Sequence, residues 1–166
     1  MKHGAITCNR IDFLLLATQI LAERNVLRFR AHGGSMYPFV RDGDVLQVEP
    51  VRLSSVRVGD VVLFQDAEDR LTVHRVIGIR RDRNRVALVT KGDSSCRPDS
   101  PVYPEQILGR LTSVSREGKT LYMSGGWRAV ANRLWAWLSP FSAQLHRLPR
   151  VVGYAALKAL DRAQGF

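Results

Sequence analysis

Cysteine is nearly absent from this chain. Cys8 and Cys96 are the two in 166 residues, too few and too far apart for a disulfide framework or a zinc-ligand spacing. They fit a reducing compartment. Long apolar runs are missing as well. The strongest, Phe13-Leu14-Leu15-Leu16-Ala17, is soon followed by Gln19, Glu23 and Arg24. A membrane-spanning helix needs about 20 mainly apolar residues, and a secretory signal needs a small-residue cleavage pattern after its apolar core. Neither pattern occurs, so the expectation is a cytoplasmic chain, at most peripheral on the cytoplasmic membrane. Acidic residues run out towards the C-terminus. Lys and Arg outnumber Asp and Glu 18 to 14 over residues 1–118, and 7 to 1 over residues 119–166. The net charge of +10 is thus concentrated in the last 48 residues, where it would attract anionic lipid, nucleic acid or an acidic partner.

What remains is an ordinary globular composition, 45% hydrophobic and 24% charged, long enough for one domain with an appendage. No metal or cofactor is needed on size grounds, and none is expected. Residues 10–24 read as a helix, with Asn9 as cap and Asp12 in the first turn. Ile11, Leu14, Leu15, Thr18 and Ala22 share one side at helical spacing. The helix either packs on the rest of the domain or lies on a membrane surface.

From residue 27 to 123, short β-rich runs alternate with turn signals. The expected strands are 27–31, 45–49, 61–65, 71–79, 86–91, 107–114 and 120–123. Seven short strands over this length predict a mostly β domain of sandwich or partly open barrel type. Residues 124–166 return to helical periodicity. Trp127, Val130, Ala131, Leu134, Trp135 and Leu138 form a stripe, with Arg128 and Arg133 largely opposite. Breaks at Pro140 and Pro149 divide this tail into two or three amphipathic helices, the last over about 150–163. The expected organisation is an N-terminal helix over 1–26, a β-domain over 27–123 and a basic helical tail over 124–166. Trp127, Arg128, Trp135 and Trp137 suit a membrane interface. They serve equally to pack the tail on the domain or a partner. Nucleic acid is not expected, because the basic residues lack a groove-reading arrangement.

Three weak signals carry chemistry. Ser35 follows Gly33 and Gly34 and precedes Met36-Tyr37-Pro38. The glycines permit a tight turn and close approach of a substrate chain, and Pro38 keeps Tyr37 out of helix. Alone, Gly-Gly-Ser is an ordinary turn. His74 lies inside a strand, where alternation puts it on a face with Thr72 and Val76. A strand histidine is commonly a structural one. Yet a serine hydroxyl needs a base near neutrality to lose its proton, and imidazole suits that task. Asp93 and Asp99 follow in the next loop, where a carboxylate could orient the imidazole or merely form a turn.

Order and company strengthen these signals. Gly34-Ser35-Met36-Tyr37-Pro38 with Asp42-Gly43-Asp44 resembles the nucleophile box of signal peptidase I. Gly59-Asp60-Val61-Val62-Leu63-Phe64 is similar to that family's next box. Thr72-Val73-His74-Arg75-Val76-Ile77-Gly78 resembles the version in archaeal and endoplasmic-reticulum signal peptidases. Thr90-Lys91-Gly92-Asp93 with Asp99 is similar to its acidic box, and Leu108-Gly109-Arg110 to its closing strand. The resemblance, within the wider S24/S26 group, implies a β-rich core shared with LexA-type self-cleaving repressors. It also implies a serine endopeptidase that processes a precursor or leader peptide. Ser35 would be the nucleophile and His74 the general base, where the bacterial branch has lysine. Asp99 would be the relay acid and Asp93 a second supporting acid. Lys91 does not match the bacterial lysine. The partner would be an extended peptide added as a strand, with small residues before the cut. The Gly34-Ser35-Met36 backbone would hold the oxyanion.

Three departures qualify the resemblance. Gly33 stands where a small hydroxyl residue often supplies an oxyanion donor, which predicts a slower enzyme. Tyr37 replaces an acidic residue. The membrane helix usual before the nucleophile is missing. A peptide-binding module that no longer cleaves is the rival reading. A LexA-like regulator is a weaker one, because residues 1–26 hold one helix and no helix-turn-helix.

Overall fold

The structure, a computed structural model, describes residues 9–82 and 85–123. The helical tail, with Trp127, Arg128, Trp135 and Trp137, lies outside the described residues. Helix α1 spans Arg10–Ala22. The strands are β1 (Leu27–Arg30), β2 (Val45–Glu49), β3 (Val61–Gln65), β4 (Leu71–Asp82), β5 (Arg85–Lys91), β6 (Ile107–Arg116) and β7 (Lys119–Tyr122). All seven expected strands are present. The differences are at the ends: β4 and β6 run two to three residues further than the apolar alternation shows. Their extra residues are polar, and the extension follows from pairing with β5 and β7.

Every pairing is antiparallel, and the strands form one open sheet in the order β1-β2-β6-β3-β4-β5, with β7 also on β6. β3 lies in the middle of this path, and Val61, Val62, Leu63 and Phe64 are all buried. Strand alternation sends them two ways. Val61 and Leu63 join Leu46, Val48, Leu111, Val114 and helix residues Ala17 and Leu21. Val62 and Phe64 join Val76, Leu88, Val102 and Val56 on the other face.

Helix α1 is capped as expected, with Asn9 Oδ1 accepting the Asp12 N–H at 2.9 Å. Its inner face is not the one the spacing suggests. Ala17 and Leu21 are buried, whereas Ile11 and Leu15 are 68% and 65% exposed. The helix is apolar nearly all round, so periodicity alone does not choose a side. The choice is made by tertiary fit: Phe13 meets Phe29 of β1 edge-on at 5.4 Å, and small Ala17 lets α1 approach the sheet. Among the described residues no helix is long and apolar enough to cross a membrane.

Candidate active site

Ser35 sits in the connection from β1 to β2, on a turn that its own sequence staples. Gly33 takes φ +95°, a left-handed conformation that strains residues with a Cβ, and its N–H donates to Asp42 Oδ1 at 2.8 Å. The Tyr37 N–H donates to the Gly34 carbonyl at 3.1 Å and the Val40 N–H to the Met36 carbonyl at 3.0 Å. Met36 and Val40 are buried in the helix-side core, so Ser35, just before Met36, projects from an anchored loop. Asp44 closes the segment. It accepts the Arg41 N–H at 2.8 Å and two hydrogen bonds from Arg116 of β6, at 2.8 and 2.6 Å. Burial pushes the Asp44 carboxyl up. The bond from Arg116, the Arg41 amide and the charges of both arginines outweigh this and hold it below the usual value.

His74 lies in β4 opposite Val62 of β3, its ring edge-on to Phe64 at 6.2 Å between centroids. Its Nε2 is 3.0 Å from Ser35 Oγ and its Nδ1 is 2.7 Å from Asp99 Oδ2. An ionised carboxylate only accepts, so Nδ1 carries the proton and Nε2 is left to accept from the serine hydroxyl. Asp99 is held in turn. Its N–H donates to the Thr90 carbonyl at 2.8 Å, and Thr90 Oγ1 donates to Oδ2 at 2.7 Å. Thr90 faces Val76 across the β4–β5 pair, which puts it on the His74 face of the sheet. The structure therefore brings Ser35, His74 and Asp99 together.

Asp93 is placed elsewhere. Arg75, the next residue along β4, points to the opposite face and donates to both Asp93 oxygens at 2.8 Å. It also donates to the Gly59 carbonyl at 3.0 Å and lies 4.9 Å over the Phe39 ring. Both side chains are fully buried. Asp93 thus anchors the loop after β5 through its side chain, while its neighbours Gly92 and Ser94 meet the Ser35 carbonyl. Lys91 anchors the same loop: Nζ donates to the Ser95 carbonyl at 2.7 Å and the Gly92 carbonyl at 3.2 Å. Burial pushes its ammonium below the ordinary lysine value, against the raising influence of Asp93, Cys96 and Asp99.

Sequence reasoning passed over Thr90, Gly92 and Ser94 as individual site residues. A Cβ on Gly92 would sit 2.7 Å from the Ser35 carbonyl oxygen and 3.0 Å from His74 Nε2, so only glycine allows the loop this close. The Ser94 hydroxyl shares its one proton between the Gly34 and Ser35 carbonyls, at 2.8 and 2.9 Å. The signal for all three is their place within three residues of Asp93, but strand register is needed to read it. The three-residue cluster opens into a cleft of about 800 Å³. Phe29 and Arg30 of β1 form one wall, Leu71–His74 the other, and Phe13 of α1 lines it as well. Among the described residues no cluster of His, Cys, Asp and Glu could hold a metal ion.

Comparison with known proteins bears on the family. Residues 3–118 match the family model described as Peptidase S24-like. The catalytic subunit SEC11 of the signal peptidase complex from Eremothecium gossypii is 38% identical over 90 residues, covering 53% of this chain and 50% of that protein. The human catalytic subunit SEC11C is 35% identical over 74 residues, 43% of this chain and 38% of that protein. Signal peptidase I W of Bacillus subtilis is 28% identical over 81 residues, 48% and 43% respectively. The chain thus spans half or less of the length of these relatives.

Proposed function

The chain belongs to the Peptidase S24-like family, and on that premise we propose that it is a serine endopeptidase of the signal-peptidase type, cutting a precursor or leader peptide. The observation that carries the reading is the Ser35–His74–Asp99 chain at 3.0 and 2.7 Å. Ser35 Oγ attacks the scissile carbonyl as His74 Nε2 takes its proton. Asp99 holds the imidazole in the required tautomer and stabilises the imidazolium. Backbone N–H groups of the Gly34-Ser35-Met36 segment receive the oxyanion. His74 then gives its proton to the leaving amine, and an acyl-enzyme on Ser35 remains. Water, deprotonated by His74, attacks that ester and frees the serine.

An extended peptide fits between two unpaired edges. β1 ends the sheet path, and β5 pairs with β4 only from Arg75 onward, leaving Leu71–His74 without a strand partner on that side among the described residues. A peptide in the cleft would add there as a strand. Asp93 acts as a support for the site through Arg75 and the loop. A peripheral place on the cytoplasmic face of a membrane, by way of the basic tail, completes the reading. Liposome co-sedimentation of the full chain against a 1–123 truncation tests that part; equal partitioning removes it.

The activity is tested with a fluorophosphonate probe and mass mapping. Labelling is expected on Ser35 and is expected to vanish in His74→Ala. No labelling of the wild type under any condition would instead favour a peptide-binding module that does not cleave.

A further inference from the structure

We propose that Ser94 is a positioning residue that aims the oxyanion donors of the nucleophile turn; the inference rests on the peptidase reading above. The Ser94 hydroxyl shares its one proton between the Gly34 carbonyl at 2.8 Å and the Ser35 carbonyl at 2.9 Å, and the Ser94 N–H also donates to the Ser35 carbonyl at 2.9 Å. Two consecutive carbonyls are therefore drawn toward one side chain. A trans peptide unit is planar, with its N–H directed opposite its C=O. Pinning the Gly34 carbonyl fixes the Ser35 N–H, and pinning the Ser35 carbonyl fixes the Met36 N–H. Both N–H groups are turned away from the Ser94 loop. Neither has a hydrogen-bond partner among the described residues.

This arrangement answers the loss at Gly33. A side-chain donor is missing there, and the φ of +95° opposes restoring one. The oxyanion must then be received by the backbone alone, and backbone donors help only if they are held in place before the reaction. Ser94 is itself held. The Arg75–Asp93 pair precedes it, the Lys91 bond to the Ser95 carbonyl follows it, and Gly92 lets the loop reach the turn.

The test compares wild type, Ser94→Ala, Ser94→Thr and Ser94→Cys. Two readouts depend on the oxyanion: the rate of Ser35 labelling by a fluorophosphonate, and the affinity of a short peptide boronate ending in boro-alanine. A third does not: binding of the matching peptide amide by strand addition. Removing one oxyanion donor outright costs about 10²–10³ in rate, so loosening two should cost Ser94→Ala about 10- to 100-fold in labelling and in boronate affinity. Amide binding should stay within about twofold, and Thr, which keeps the hydroxyl, should restore both losses. Cys keeps the shape but donates weakly. It should behave as Ala does, which settles the matter if the Ala variant does not fold. Equal loss of boronate and amide binding, or wild-type labelling in Ser94→Ala, overturns the inference and leaves the peptidase reading standing. A wild type that forms no adduct with either probe overturns both.

Discussion

The two aspartates of the loop after β5 should separate cleanly when each is replaced. Asp93 and Arg75 are both fully buried and joined by two 2.8 Å bonds. In Asp93→Ala the guanidinium keeps the Gly59 carbonyl and the Phe39 ring but loses its counter-charge. Removing one partner of a buried pair costs about 3–5 kcal/mol. Set against a typical stability of about 5–15 kcal/mol, this is a large fraction, and it corresponds to a fall in Tm of about 6–20 °C for a chain of this size. Asp99 is partly exposed, and its loss removes bonds to His74, Thr90 and nothing charged on the core side. In Asp99→Asn the fold should lose only about 1–2 kcal/mol, while Ser35 labelling falls by about 10³–10⁴, as when the orienting acid of a serine triad is made neutral. Urea denaturation followed by far-ultraviolet circular dichroism measures the first quantity. Fluorophosphonate labelling, at a temperature where all variants are folded, measures the second. The double variant Arg75→Met with Asp93→Leu removes both charges and should regain most of the stability lost in Asp93→Ala. The reasoning is refuted if Asp93→Ala unfolds within about 1 kcal/mol of wild type, or if Asp99→Asn labels normally.

Three further outcomes follow from the same geometry. Labelling of Ser35 should decline on acidification, because a protonated imidazole cannot take the serine proton; labelling that rises on acidification would remove His74 as base. Gly92→Ala should cost about 1–3 kcal/mol in overpacking and most of the labelling activity, since its Cβ would press on the Ser35 carbonyl and His74 Nε2; a fully active Ala variant contradicts the close approach. Asp44 has a lowered folded-state value, so its carboxylate contributes stability above the ordinary aspartate range and loses that contribution as pH falls through the lowered value. The stability gap between wild type and Arg116→Ala should therefore be widest near neutrality and shrink below about pH 4; a gap that grows on acidification has the wrong sign.

The strands were legible because their apolar patterning, alternating in β2 and continuous in β3, is a local property. Val45–Glu49 and Val61–Gln65 begin and end where the pattern does. The face of α1 was not legible, because Ile11, Leu15 and Leu16 are as apolar as Ala17 and Leu21, and only the sheet distinguishes them. Ser35 and His74 could be paired from their motifs and resemblance. Between Asp93 and Asp99 the resemblance favoured Asp99, but the residues alone could not choose, because both lie in one loop and the answer depends on which side of β4 each meets. Ser94 escaped notice because its bonds are to backbone carbonyls 59 and 60 residues away in the chain, which leaves no trace in local composition.

The register of β4 is what divides chemistry from architecture in this site. His74 and Arg75 are neighbours in sequence, and alternation sends them to opposite faces. His74 meets Ser35 and Asp99; Arg75 meets Asp93. A slip of one residue against β3 would exchange them, turning His74 away from Ser35 and Arg75 toward the cleft. The two faces are also tied to each other, because Asp93 and Asp99 belong to one loop. The buried pair on the core side fixes where that loop starts, and the Thr90 bonds fix where Asp99 returns. Asp93 thus bears on the proposed site through its buried pair, by holding at one end the segment whose other end brings Asp99 to His74.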